Sequence, residues 1–314
     1  MENLILSFNL VAPIFLLMAI GWLLVNRTKL ADEAFMAKLN TLVFQLFLPC
    51  MLFRNVYQVD LREEFSGTVV LFAAGSLLLL VAILWVVVPR VVKNPRQQGV
   101  VIQGIFRSNY VIFGVTVVTN LYGAEHAAMA SLLSAVLVPM YNLLAVIVLT
   151  VFGDGKALSI RGMLWKIAKN PLILATLAGI VVALSGISFP SFVDDTLADL
   201  AGLATPLAFL VLGGQFDCSK IRGNLKITLP VLAVKLVVLP VLTIPVMVCL
   251  GYRGSDLLSL VLAYQTPVAV SSYIMAEQAG ADGQLAGQLV VFSSAACLVT
   301  LFVTIFILKQ LAFL

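Results

Sequence analysis

The chain has 314 residues, of which 61% are hydrophobic and 11% are charged, and its formal net charge is +4. Soluble domains carry about 25% charged residues, so this composition excludes an ordinary soluble domain. Uncharged runs such as 67–89 meet the roughly 20-residue length needed to cross a bilayer. Because these runs are continuously apolar and do not alternate, they indicate membrane-spanning helices and not the strands of an outer-membrane barrel.

Apolar windows bounded by charges, glycines and prolines predict an all-α polytopic membrane protein with ten transmembrane helices. In chain order the predicted helices are 5–25, 35–56, 67–89, 98–121, 126–151, 170–186, 192–214, 226–250, 256–279 and 284–308.

The positive charges predict how these helices are oriented. Thirteen of the nineteen Lys and Arg residues fall on one side of the predicted bilayer, and four fall on the other, namely Arg54, Arg62, Arg253 and Lys309. Since basic loops stay cytoplasmic, both termini are expected outside the cell and the 153–169 connection inside, in a multi-pass protein of the plasma membrane. The basic, amphipathic part of that connection is expected to lie on the lipid surface.

Internal similarity predicts two related halves. LPCMLF (48–53) matches TPLAFL (205–210), and YGAE (122–125) matches AGAD (279–282), in both cases at an offset of 157, which is half the chain length. We therefore expect two five-helix repeats, 1–152 and 170–314, joined by the connection 153–169. An odd number of crossings inverts the second repeat, an arrangement typical of secondary transporters with a binding site near the midplane.

Polar residues interrupt the fourth and ninth predicted helices. Pro267 removes an amide donor and clashes with the preceding turn, which predicts a break or a strong kink in the ninth helix. At the 157 offset, Asn109 aligns with Thr266 and Tyr110 with Pro267, so a matching break is expected in the fourth helix although it has no proline. A helix broken in the membrane directs the N-terminal dipole of its second half into the protein, which suits a carboxylate. An ordinary proline kink is the alternative.

Arg107 and Lys235 are the two basic residues assigned to neither side, and both fall well inside predicted helices. A cation at a helix centre costs about 2.5–3.5 kcal/mol on insertion scales, and no central Asp or Glu is available to pair with either one. An unpaired positive cavity should attract anions, and Arg suits bidentate recognition of a carboxylate. Lys235 is a candidate for charge coupling, or alternatively a structural cap for the carbonyls of a broken helix. Gln45, which precedes Pro49, is expected to line the path.

Motifs for catalysis or nucleotide binding are absent from the sequence, and the four cysteines lie far apart. We therefore expect no enzyme, no catalytic residues, no metal or other cofactor and no nucleic-acid partner. The expected partners are a small organic anion, the lipid bilayer and a second copy of the chain in a homodimer.

Five strings spread along the chain resemble the auxin efflux carrier family. They are FRSNYVIFG (106–114), NPLILATLAGI (170–180), TPLAFLVLGGQF (205–216), KLVVLP (235–240) and QTPVAVSSYIMA (265–276). That family includes plant PIN auxin carriers and bacterial malate or malonate permeases, and it is related to the bile-acid sodium symporter-like fold. The resemblance implies ten helices in inverted repeats, broken helices 4 and 9 that cross, and transport of organic anions.

Carried onto this chain, the resemblance implies a substrate site formed by Asn109, Tyr110, Gln265, Thr266 and Pro267. Sodium-coupled relatives have an acidic residue near the crossing where this chain has Gln265, which speaks against a sodium site. The short 153–169 connection lacks the long regulatory loop of many plant members, so the resemblance implies a bacterial-type permease.

The resulting hypothesis is a carrier of small organic anions that works by alternating access. The family resemblance implies that the predicted helices 3–5 and 8–10 move and that the predicted helices 1, 2, 6 and 7 form the scaffold. The alternatives are a proton- or sodium-coupled symporter of organic acids, and a membrane sensor that binds the anion without transport.

Overall fold

The computed structural model describes residues 2–58, 67–123, 126–152, 160–187, 189–217 and 221–314. All the regular elements in these ranges are helical, so the prediction of an all-α membrane protein is confirmed. Seven helical segments within them are long and apolar enough to cross a bilayer: Glu33–Tyr57, Gly67–Val91, Pro95–Tyr122, Ala128–Phe152, Ser191–Gln215, Gly223–Cys249 and Gly283–Gln310. Two shorter apolar helices are Ala12–Asn26 and Pro171–Ser185.

The α-helices are numbered in chain order. In the first half they are α1 (Glu2–Asn26), α2 (Glu33–Leu42), α3 (Leu48–Tyr57), α4 (Gly67–Val91), α5 (Pro95–Phe106), α6 (Tyr110–Tyr122) and α7 (Ala128–Phe152). In the second half they are α8 (Ile160–Ala168), α9 (Pro171–Ser185), α10 (Ser191–Gln215), α11 (Ile221–Ala233), α12 (Leu239–Cys249), α13 (Gly254–Gln265), α14 (Ser271–Gln278) and α15 (Gly283–Gln310). A first π-helical turn, Val43–Phe47, joins α2 to α3, and a second, Val234–Val238, joins α11 to α12.

The observed helices coincide with the predicted windows to within a few residues. The fourth window is divided into α5 and α6, and the ninth into α13 and α14. The count of ten membrane crossings, the inverted repeat and the boundaries at 152 and 170 stay predictions. The amphipathic part of the connection is α8, while residues 153–159 and the predicted outer charge Arg62 lie outside the described ranges.

Each π-helical turn precedes a proline. Pro49 and Pro240 have no amide hydrogen to donate to the carbonyl four residues earlier, and the proline ring would clash with that carbonyl. Widening the helix by one residue relieves the clash, and π-bulges of this kind occur often at functional sites. Behind Pro240, the carbonyl of Leu236 accepts a hydrogen bond from Gln265 Nε2 at 3.2 Å instead. The second π-helical turn is thereby attached to the end of α13.

The interrupted helices lie at the centre of the molecule. In the most apolar 18-residue window of Pro95–Tyr122, 78% of residues are buried inside the protein, against 28% for Gly67–Val91. Non-helical backbone is tolerated at membrane depth only where protein or a water-filled cavity surrounds it. The burial of α5 and α6 meets that condition.

Glycines bring α1 and α10 into backbone contact. A Cβ atom on Gly213 would lie 2.0 Å from the carbonyl oxygen of Met18, and one on Gly21 would lie 2.0 Å from that of Leu210. Small residues permit this close approach between membrane helices, which pack without a hydrophobic driving force. The backbones of α1 and α10 are therefore packed directly against each other.

We expect Gly213→Ala to lower the stability of the folded protein by about 1–3 kcal/mol, because the new methyl group meets backbone that cannot move aside cheaply. Gly202→Ala on the same helix is the matched control, since a Cβ there has no neighbour within 4 Å. Alanine favours a helix, so the control should be neutral or stabilising. Thermal unfolding in detergent measures both variants, and equal melting temperatures would contradict the close packing.

Candidate functional site

The two interruptions touch each other. The chain leaves the helix between Phe106 and Tyr110, where Arg107 has an extended backbone, and again between Gln265 and Ser271. The amide of Asn109 donates to the carbonyl of Pro267 at 2.8 Å. This hydrogen bond joins the two breaks directly. The expected break in the fourth predicted helix is present, although Tyr110 stands at the position where the ninth predicted helix has its proline.

Buried side chains satisfy the backbone groups that the break at Pro267 frees. Proline leaves the carbonyl of Ala263 without its usual helical donor, and the hydroxyl of Tyr141 on α7 donates to it at 2.8 Å. The amide of Val268 donates to Ser293 Oγ on α15 at 2.9 Å. Neighbouring helices thus replace the water that a break in a soluble protein would bind.

Lys235 caps the break between α5 and α6. The side chain lies in the second π-helical turn and is fully buried. Its ammonium group donates to the carbonyls of Ile105 at 3.3 Å and Arg107 at 2.9 Å, and to Ser108 Oγ at 3.0 Å. A cation is favourable at a helix C-terminus, where carbonyls lack intrahelical partners. Three donors meet three acceptors, which accounts for a break without a proline.

Arg107 is buried against neutral partners. Its side chain is 2% exposed, and the guanidinium group donates to Asn142 Oδ1, to Ser271 Oγ at 2.7 Å and to the sulfur of Met275. Within the described ranges, no Asp or Glu lies at salt-bridge distance from Arg107 or Lys235. A buried cation without a counter-charge is costly, so this site favours an anion.

A cavity of about 50 Å³ lies beside Arg107 at the crossing, and we call it the central cavity. Its wall includes Arg107, Asn109, Asn142 and Ser271, together with Met51 and Thr205 from α3 and α10. The first residues of α6 and of α14 both lie on it, and helix N-termini favour negative charge. Its volume is room for a few water molecules.

Asn109 is the polar residue best placed to meet a ligand in this cavity. It is the N-cap residue of α6, yet its side chain makes no capping hydrogen bond. No hydrogen bond joins its side-chain amide to any other residue that the structure describes, although the residue is only 8% exposed. The amide is therefore free to bind a group in the central cavity.

The other predicted site residues are placed differently. Tyr110 lines the central cavity, but its hydroxyl already donates to the carbonyl of Ser259 at 3.1 Å. Gln265 turns away toward α15, where Nε2 donates to Thr304 Oγ1 at 2.7 Å. Thr266 is fully buried with its hydroxyl unpaired, Pro267 contributes its carbonyl to Asn109, and Gln45 lies exposed on the first π-helical turn. The structure thus brings Arg107, Asn109 and Tyr110 together and leaves Gln265 and Gln45 apart.

Sequence reasoning did not select Asn142, Ser271 and Met275 as site residues, although all three contact Arg107. An available signal for Asn142 was its position as a lone amide in a long apolar run. Ser271 belongs to the polar string of the ninth predicted helix. Met275 had no such signal, because a methionine in a membrane helix is ordinarily a packing residue.

We expect Lys235→Met to lower the free energy of unfolding by about 1–3 kcal/mol, because methionine fills the space but leaves two buried carbonyls without a donor. Lys226→Met, at an exposed position in α11, is the control and should melt like the wild type. Thermal unfolding followed by size-exclusion chromatography measures the difference. If Lys235→Met melts no lower than the control, Lys235 does not hold the break.

The family model for "Membrane transport protein" matches residues 6–305, which is nearly the whole chain. A protein from Methanothermobacter thermautotrophicus described as an "uncharacterized transporter" is 23% identical over 300 residues, covering 94% of this chain and 96% of that one. The match includes both interrupted helices and the cavity between them. The chain belongs to the membrane transport protein family, the family of the auxin efflux carriers, and is a transporter.

Proposed function

We propose that this transporter is a secondary carrier of small organic anions, mono- or dicarboxylates such as malate or malonate, and that it binds them where the interrupted helices cross. The observation that carries the proposal is Arg107, which is buried and whose guanidinium, among the residues that the structure describes, bonds only to neutral groups. A carboxylate that entered the central cavity would supply the missing charge.

The groups around the cavity suit a carboxylate in several ways. The guanidinium of Arg107 can give two parallel hydrogen bonds to the two carboxylate oxygens. The first amides of α6, beginning at Tyr110, have no intrahelical acceptor, and the side-chain carboxamide of Asn109 has no hydrogen-bond partner among the described residues. In a bond from Arg107 to a carboxylate both partners are ionised, whereas the bonds that Arg107 makes to Asn142 and Ser271 have a neutral acceptor. Exchange of partners therefore favours binding.

The position of the cavity supports alternating access. Met51 of α3 and Thr205 of α10 lie in the second and seventh predicted helices, which the family resemblance assigns to the scaffold. Arg107, Asn142 and Ser271 line the same cavity and lie in the fourth, fifth and ninth predicted helices, which are assigned to the moving part. A cavity of about 50 Å³ is too small for a dicarboxylate, so one wall must shift to admit it. Rocking of one element group against another around a fixed site would provide that shift.

We place the carrier in the plasma membrane with both termini outside, where the membrane potential alone can drive efflux. A monovalent anion gains about 2.3 kcal/mol per 100 mV. A proton-coupled mechanism through Lys235 would require its ammonium to give up bonds to two carbonyls and Ser108. Those bonds favour a structural cap over a coupling residue.

In proteoliposomes loaded with unlabelled malate, we expect the wild-type protein to accumulate labelled malate by counterflow. Arg107→Gln should abolish the uptake, because the amide keeps the polarity and loses the charge. Arg90→Gln, at an exposed position of α4, is the matched control and should leave uptake unchanged. Binding of malate without counterflow would indicate a sensor, and wild-type counterflow that survives in Arg107→Gln would remove Arg107 from the site.

We expect Asn109→Ala to weaken malate binding about tenfold, the loss of one hydrogen bond to a charged group. The comparison is with Asn120→Ala on the same helix, whose exposed side chain donates to the carbonyl of Thr116. Malate titrations followed by thermal shift give both affinities. Equal affinities in the two variants would place the carboxylate away from the α6 N-terminus.

A further inference from the structure

A larger cavity lies on the side of α14 toward the start of α9. Its volume is about 310 Å³, and we call it the vestibule. Its wall includes Phe44 of the first π-helical turn, Thr150 of α7, Lys169 just before α9, and Met275 and Gln278 of α14. It therefore lies between the elements assigned to the scaffold and those assigned to the moving part, as the central cavity does.

The charge of the vestibule favours anions. Among the described residues that line the vestibule, Lys169 is the only charged one. Its Nζ atom lies 4.4 Å from the centre of the Trp165 ring on α8. On the other side of α14 lies a cavity of about 450 Å³ whose described wall carries Glu33, Asp217 and Glu277 and no Lys or Arg. Two adjacent openings thus have opposite charge, and an anion approaching this end of the protein is attracted to one and repelled by the other.

Met275 connects the wall of the vestibule to Arg107, which lines the central cavity. It lines the vestibule, is only 2% exposed, and its sulfur accepts a hydrogen bond from Arg107. The helix α7 runs along both cavities, with Val138 and Asn142 on the central cavity and Thr150 on the vestibule. The nearest α7 residues of the two cavities are Asn142 and Val146, which are four residues or about 6 Å of helix apart, so the cavities lie one after the other along α7.

We propose that the vestibule is a loading site for small carboxylate anions and that Met275 is the gate through which they reach Arg107. The proposal rests on the carrier function proposed above. Methionine is unbranched with three rotatable side-chain bonds, so it can swing aside without movement of the backbone. Its thioether is a weak acceptor, and an arriving carboxylate replaces that contact with a stronger one.

The first test measures the charge preference of the vestibule in detergent, without transport. Thr150→Cys is labelled with a negatively charged and a positively charged methanethiosulfonate reagent, and the wild-type chain gives the background of its four cysteines. We expect Lys169 to raise the ratio of the anionic to the cationic labelling rate about fivefold. Lys169→Gln should remove this preference, and the control Lys226→Gln should retain it. The same ratio of rates in all three would overturn the loading site.

The second test measures the gate. Val138→Cys reports access to the central cavity, and we expect Met275→Ala to raise its rate of labelling several-fold. Met247→Ala is the matched control, because Met247 is a fully buried methionine on α12 that lines neither cavity. If the alanine variant does not fold, Met275→Val is measured in its place. Equal rates in the Met275 and Met247 variants would overturn the gate.

These results are independent of the carrier assay. Normal malate counterflow with no charge preference and no effect of Met275 would overturn the vestibule and leave the carrier function intact. Absent counterflow with the expected labelling would overturn the carrier function and leave a gated anion-attracting cavity.

Discussion

Two helices at the centre of this protein are interrupted, and the membrane provides no water for the backbone groups that the interruptions free. Each of those groups therefore needs a partner inside the protein. The amide of Asn109 finds the carbonyl of Pro267, and the carbonyls of Ile105 and Arg107 find Lys235. Tyr141 serves the carbonyl freed by Pro267. The site exists because these partners make a break in the membrane tolerable.

The residues that stabilise the helix break also provide the positive charge that the proposed function needs. Capping the end of α5 with Lys235 places one cation at the crossing, and Arg107, whose backbone carbonyl accepts a hydrogen bond from Lys235, adds a second. In the described part of the chain, the Arg107 guanidinium bonds to neutral groups, which satisfies its hydrogen bonds and leaves its charge unbalanced. The residues at the helix break are therefore also the residues of the proposed anion site, and a carboxylate substrate would supply the negative charge that balances Arg107.

The sequence predicts the break at Pro267 from local chemistry, because proline cannot continue a helix. It predicts the other break only by alignment, since the cause is Lys235, which lies 128 residues from Arg107 along the chain. Hydropathy also places the helices well, because apolar runs and prolines are local features. Side-chain direction is not local. Gln265 turns toward α15 and the Leu236 carbonyl that Pro240 frees, and no pattern within the ninth predicted helix indicates this. Asn142 and Met275 join the site for the same reason, through packing between distant segments.

The most direct test of the central claim is to locate a bound carboxylate. Crystals of the protein grown with bromosuccinate would show the bromine by its anomalous scattering. We predict the bromine in an enlarged central cavity, with a carboxylate within hydrogen-bonding distance of the Arg107 guanidinium and the Asn109 side chain. A fully occupied bromine site elsewhere in the protein, with Arg107 still bonded to Asn142 and Ser271, would contradict the account.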